Sequence, residues 1–272
     1  MYFKPNNKNN KSNPVEDDSY SILLGQNIIK RVTETKFLGV IIDENLNWQP
    51  HLNYLNSKLK CEVGKLNRMK YVIPSELYKN LYHTLFESHL AFGITAWGGV
   101  SRSKLEPIFV TQKKCLRILF GDREAYIDKF RTCARCRPLE DRFLGAEFYR
   151  RESTKPLFKA NELLTVHNLY KYHCLFEMFK IIKLRTPMSM YELFKRSKIR
   201  DDKLLSLPPS PLFEYNSSNL WIKCCKSYGD TDFTSPIGGI KNKIKKALLL
   251  SQSNFGSQDW HDYNFDNEHF SF

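Results

Sequence analysis

The spacing of apolar residues changes abruptly after Trp48, and this change limits the possible folds more than any other feature. Before it, Lys36-Phe37-Leu38-Gly39-Val40-Ile41-Ile42-Asp43 is a nearly continuous apolar run closed by a polar turn, which predicts one buried strand. After it, Leu52, Leu55, Leu59, Val63, Leu66 and Met69 recur at steps of three and four. That spacing lays them along one face of a long helix. Lys58, Lys60, Lys65, Arg68 and Lys70 fall on the other face. Pro74 opens a second helix, a favoured first-turn position. In it Leu77, Leu81 and Leu85 form one stripe, and Tyr78, Tyr82, Phe86 and Leu90 form the next. A helix apolar over so much of its circumference should be largely buried. It is expected to end near Trp97-Gly98-Gly99. A third helix is predicted over Ser103 to Phe120, with Leu105, Ile108, Phe109, Gln112, Leu116 and Leu119 on one side and Gly121 closing it.

The remaining segments are less regular. Residues 1–19 are polar and read as a loop or disordered stretch. Two β-prone runs from Ser21 to Ile29 flank Gly25-Gln26-Asn27, a hairpin signal. Asp122 to Lys155 is charged and mixed, with no clear period. Helical spacing returns from Leu163 to Lys183 and stops at Thr186-Pro187. Met190 to Lys195 reads as a short helical turn, Lys198 to Asn219 as a loop, and Pro236 to Leu250 as a last helix. The expected organisation is a loop at 1–19, a small β element at 20–47 and a helical domain at 48–121. A mostly helical region at 122–250 and a disordered tail at 251–272 follow. The fold class is mainly α.

Composition narrows the function classes. Among 272 residues, Lys and Arg number 42 and Asp and Glu 29, a net charge of +13. Hydrophobic residues make up 42%, too many for a wholly disordered chain. Twelve Gly and seven Cys exclude collagen-like and disulfide-scaffold classes. A basic chain with 14% aromatics fits a polyanion partner, most simply a nucleic acid. No apolar leader follows Met1, and no stretch reaches the length of a membrane span. Leu85 to Trp97 comes nearest, but Glu87, Ser88 and His89 interrupt it. The odd cysteine count points to reduced thiols, and so to a cytoplasmic or nuclear protein without membrane association.

Several residue groups are candidates for chemistry. Lys58, Lys65 and Arg68 on the first long helix, with Lys113, Lys114 and Arg117 on the third, form a basic set. They read either as phosphate contacts or as an ordinary solvated face. Cys133-x-x-Cys136 has zinc-like spacing, with His167, His173 and Cys174 downstream as possible further ligands. The competing reading is unrelated reduced thiols. His83 and His89, among Tyr78, Tyr82 and Phe86, read as a base-stacking platform or, by their helical spacing, as core. Ser88-His89 lacks a nucleophile-elbow motif, which argues against a hydrolase triad. Lys241 to Lys246 reads as a further phosphate contact or a nuclear localisation signal.

Taken in order, these residues resemble a known family. Val32 to Trp48 reads V-T-E-T-K-F-L-G-V-I-I-D-E-N-L-N-W. Then come Ser88-His89-Leu90 with Gly93, Trp97-Gly98, and Gln112-Lys113-Lys114-Cys115-Leu116-Arg117-Ile118. The order and spacing over roughly 22–120 resemble the region downstream of the catalytic palm in reverse transcriptases of non-LTR, LINE-like and jockey-type retrotransposons. Phe92 stands where that family often has Tyr. The resemblance implies a helical thumb and connection with a β remnant of the palm at its N-terminal side. It also implies an RNA or RNA–DNA template–primer held through its phosphates by Lys58, Lys65, Arg68, Lys113, Lys114 and Arg117. The parent activity, RNA-directed DNA polymerisation, uses Mg2+ held by clustered Asp residues, one pair on a Tyr-x-Asp-Asp hairpin. Here the adjacent Asp pairs are Asp17-Asp18 and Asp201-Asp202, preceded two positions earlier by Val15 and Ile199. The expectation is therefore a fragment, catalytically inactive alone and with no cofactor of its own, whose partners include the missing palm and fingers. The alternative is a structural or protein-interaction remnant that binds no nucleic acid.

Overall fold

A computed structural model describes residues 22–29, 31–121, 153–184, 195–196, 205–206 and 237–254. Among these residues helix dominates and the strands form three separate two-stranded antiparallel pairs, so the fold is mainly α with a small β element. In chain order the strands are β1 (Ile22–Leu24), β2 (Asn27–Ile29), β3 (Glu34–Phe37) and β4 (Val40–Asp43). The helices α1 (Gln49–Met69), α2 (Tyr78–Leu81), α3 (Ser88–Ala91), α4 (Ile94–Trp97) and α5 (Arg102–Phe120) come next. They are followed by α6 (Lys155–Ala160), α7 (Val166–Leu184), β5 (Lys195–Arg196), β6 (Leu205–Ser206) and α8 (Ile237–Asn254).

The hairpin expected around Gly25 is present, with Leu24 opposite Asn27 across a two-residue turn. The apolar run 36–43 is not one buried strand. It folds back on itself between Phe37 and Val40, with Leu38 at φ 46° and Gly39 at φ 87°. Positive φ at both central positions is the turn that matches strand twist, and Gly39 permits it. An unbroken apolar run hides such a turn, because only the glycine signals it. The result is a hairpin with Phe37 and Leu38 exposed and Val40 to Ile42 half-buried.

Asp43 ties this hairpin to α1. Its two carboxylate oxygens accept backbone N–H bonds from Trp48 (2.9 Å) and Asn47 (3.0 Å). That bridge shapes a tight connection in which Leu46 and Trp48 take positive φ. His51, one turn into α1, is buried, and its Nδ1 accepts a bond from the Ile41 N–H at 3.3 Å. The Asp-to-Trp-to-His spacing in the sequence is thus a strand-to-helix joint.

The second helix is more broken than its spacing predicted. A 3-10 turn at Ser75–Leu77 leads into α2, a π turn spans Tyr82–Glu87, and α3 ends at Ala91. The chain breaks at Phe92 and Gly93, where Gly93 has φ 61°, before α4 resumes. Trp97, fully buried, donates its indole N–H to the Phe92 carbonyl (2.9 Å) and closes this bend. A Cβ on Gly98 would come within 2.6 Å of the Tyr170 ring, so glycine there lets α7 approach.

Helices α1 and α5 run parallel. Asn47 meets Lys104 near their starts, Asn56 meets Thr111 midway, and Lys70 meets the Ile118 carbonyl near their ends. Helix α7 lies against α3, α4, α5 and α8. Its apolar residues point in most directions, as in a central helix. Buried side chains from α1 through α8 form one cluster. Two buried glutamines cross-link it. Gln112 donates to the Tyr82 hydroxyl (2.8 Å) and the Leu164 carbonyl (2.9 Å) and accepts from Val166 N–H (2.9 Å). Gln252 donates to the Leu163 carbonyl and accepts from Thr165 N–H and Asn168 Nδ2, each at 3.2 Å. These bonds satisfy backbone groups at the start of α7 that helix geometry alone leaves open. Helix α8 reaches Asn254, beyond Ser251 where the tail was expected to begin. Lys195–Arg196 pairs with Leu205–Ser206 as strands, where the spacing predicts the end of a helical turn and a loop.

Candidate nucleic-acid interface

The six expected basic residues lie on the parallel pair α1 and α5, in two environments. Lys58 and Lys65 stand on the α3 side of α1, around the buried Glu62. Lys65 Nζ contacts Glu62 Oε1 at 2.8 Å, and His89 Nε2 lies 3.9 Å from the same oxygen. Burial and then the neighbouring Lys58 hold the His89 pKa below its ordinary value, with Lys65 adding to this and Glu62 opposing it. The group therefore carries two lysines against one carboxylate near neutral pH. Lys65 keeps 63% of its side chain exposed, so its charge also faces solvent. Arg68 is exposed near the C-terminal end of α1.

Lys114 is exposed on α5, whereas Lys113 and Arg117 are half-buried. Lys113 Nζ lies 3.4 Å from Glu106 and 4.1 Å from the centre of the Phe109 ring. It belongs to a second basic cluster that linear spacing did not reveal. Arg102, Lys171 and Lys113 all bear on His167, and with burial as the larger cause they push its pKa down to about 4. Phe109 meets the His167 ring edge-on at 5.5 Å. Arg102 starts α5 and Lys171 lies on α7, 69 residues further along the chain, so only the packing of α5 on α7 brings them together.

Other candidates resolve differently. Tyr82 and Phe86 are fully buried and stack on each other at 5.4 Å, so they are core rather than an open platform. Ser88 donates its hydroxyl to the Thr84 carbonyl at 2.5 Å. Cys133, Cys136 and both Asp pairs lie outside the described residues. Cys174 is buried, and His167 sits edge-on to Phe109. Among the described residues no three His, Cys, Asp or Glu side chains are grouped to hold a metal ion. No helix among them is long and apolar enough to cross a membrane.

The site and fold thus define a basic, mainly α-helical protein with small N-terminal hairpins. Comparison with known proteins narrows this. No family model and no solved structure matches the chain. A stretch of 109 residues is 26% identical to the RNA-directed DNA polymerase from mobile element jockey of Drosophila funebris. That stretch is 38% of this chain and only 12% of the polymerase. The similarity supports a region related to a non-LTR retrotransposon reverse transcriptase.

Proposed function

We propose that this chain is a thumb-and-connection part of a retrotransposon reverse transcriptase, and that it holds an RNA–DNA template–primer duplex through its phosphates. The carrying observation is the placement of Lys65, Arg68 and Lys114 as exposed cations on two parallel helices fixed to one core. Lys58 on α1 and Lys113 and Arg117 on α5 are half-buried. Exposed cations on neighbouring helices suit the charged backbone of a duplex, and contacts of this kind read no sequence. The net charge of +13 and the similarity to a jockey polymerase support the same reading. Catalysis is assigned to a palm supplied from elsewhere, since the sequence holds no Tyr-x-Asp-Asp. Exposed Leu23, Ile28, Phe37 and Leu38 on the hairpins suit contact with that palm.

The test is fluorescence anisotropy of a labelled RNA–DNA duplex with the full chain and with a Lys65→Glu, Arg68→Glu, Lys114→Glu variant. All three sites are exposed, so the fold is expected to survive, as circular dichroism would check. The reading predicts submillimolar binding by the wild type and at least a tenfold loss in the folded variant. Equal binding by both overturns the assignment to this face. The exposed hairpin residues favour the alternative of an interaction module, which predicts no duplex binding even at low salt.

A further inference from the structure

A cleft on another side of the bundle has its own chemistry. It holds about 260 Å³ and lies between the π turn, α7 and α8. Its wall includes His83, Glu87 and Ser88 from one side, Tyr172 and His173 from α7, and Lys245 from α8. A local departure from regular backbone lies there. The Tyr82–Glu87 segment is π-helical, a form that occurs mostly as single turns at functional sites. Opposite it, Glu162 also lines the cleft; its left-handed φ of 53° closes α6, with its N–H bonded to the Lys159 carbonyl and the Leu163 N–H to the Phe158 carbonyl.

We propose that this cleft receives one unpaired nucleobase from a strand that extends beyond the duplex. This rests on the duplex-binding reading and adds a site to it. Size is the first argument. The cavity lies below the roughly 300–1,000 Å³ of drug-sized ligand sites, which suits a single ring system rather than a base pair. Charge is the second. Glu87 and Glu162 line the cleft together with Lys245, and the exposed Glu162 also pairs with Lys79. Carboxylates on the wall suit a neutral ring whose amino and imino N–H groups donate to them. Glu87 is held in place by His83, whose Nδ1 lies 3.1 Å from Oε2. Glu162 is held by Lys79 at 3.5 Å. Shape is the third. Tyr172 supplies an aromatic ring, steadied by Phe176 lying nearly parallel at 6.5 Å. Lys245 continues on α8 into the exposed Lys241 and Lys246, which gives the strand's phosphates a path at the cleft mouth.

The experiment compares binding of the full chain to a blunt RNA–DNA duplex and to the same duplex with a short single-stranded extension. The extension should tighten binding about tenfold, the scale of one stacked base. Ser88→Trp, an exposed position on the cleft wall, should plug the cavity. It should erase that advantage while leaving blunt-duplex binding unchanged. Glu87→Gln should reduce the advantage without filling the space. Equal affinity for both duplexes, or an advantage untouched in folded Ser88→Trp, overturns the proposal. If neither duplex binds, the phosphate reading fails by itself. The cleft is then tested directly by titrating free guanosine, adenosine, cytidine and uridine while following the histidine ring NMR signals. Shifts confined to His83 and His173 support the pocket, and their absence for all four nucleosides overturns it.

Discussion

Gln112 and Leu38 sit in two regions with opposite ways of holding together. Gln112 is fully buried and bonds to three partners drawn from the π turn and the start of α7. Leu38 is 79% exposed at the tip of a two-stranded hairpin. The helical bundle has both an apolar core and internal polar cross-links. The β3–β4 hairpin leans on the joint made by Asp43 and His51, because an isolated two-stranded pair is marginal in water. The bundle is thus a rigid carrier for the basic face, and the hairpins are an attachment with apolar surface to spare.

The largest way to break this contrast is Gln112→Ala. It strands the Tyr82 hydroxyl, the Leu164 carbonyl and the Val166 N–H in the core, and should cost about 3–4 kcal/mol in urea unfolding. Acid should weaken the same region. His167 has a native pKa of about 4 against the ordinary 6.5, so it binds its proton more readily when unfolded. The stability this gives is present above pH 6.5 and is lost as pH falls from there towards 4. The loss should be on the order of 2–3 kcal/mol, and His167→Gln should flatten that part of the pH profile.

Asp43→Ala should cost about 1–2 kcal/mol, because two backbone N–H groups lose their acceptor. Amide exchange in β3 and β4 should rise more than in α5 and α7. Leu38→Asn acts in the other direction. Asn-Gly suits the positive-φ turn better than Leu-Gly, so hairpin protection should rise by about 0.5 kcal/mol with the bundle unchanged. A change of equal size in both regions would contradict their separation.

The bundle was legible in the sequence to the extent that its residues repeat. Leu52 to Leu66 and Leu105 to Leu119 declare their buried faces through spacing alone, and Gln112 already falls on the apolar side of α5. Its partners do not show, because they lie 30 to 54 residues away and meet it only after packing. The break at Phe92-Gly93 was hidden inside a continuous apolar pattern, as was the turn at Leu38-Gly39. The basic face follows the same rule. Lys58, Lys65 and Arg68 can be read from helix spacing, whereas Arg102 and Lys171 join Lys113 only through the contact of α5 with α7. The cleft beside the π turn is a tertiary feature too, since residues from the π turn, α3, α7, α8 and the connection after α6 build its wall.

The central claim is that an exposed basic face on this bundle grips a duplex through its phosphates. Its most direct test is the slope of log affinity against log salt for a blunt RNA–DNA duplex, measured for the wild type and for Lys114→Glu. The account predicts a steep negative slope of several released ions, made shallower by about one in the variant. A flat slope, or one that Lys114→Glu leaves unchanged, would contradict it.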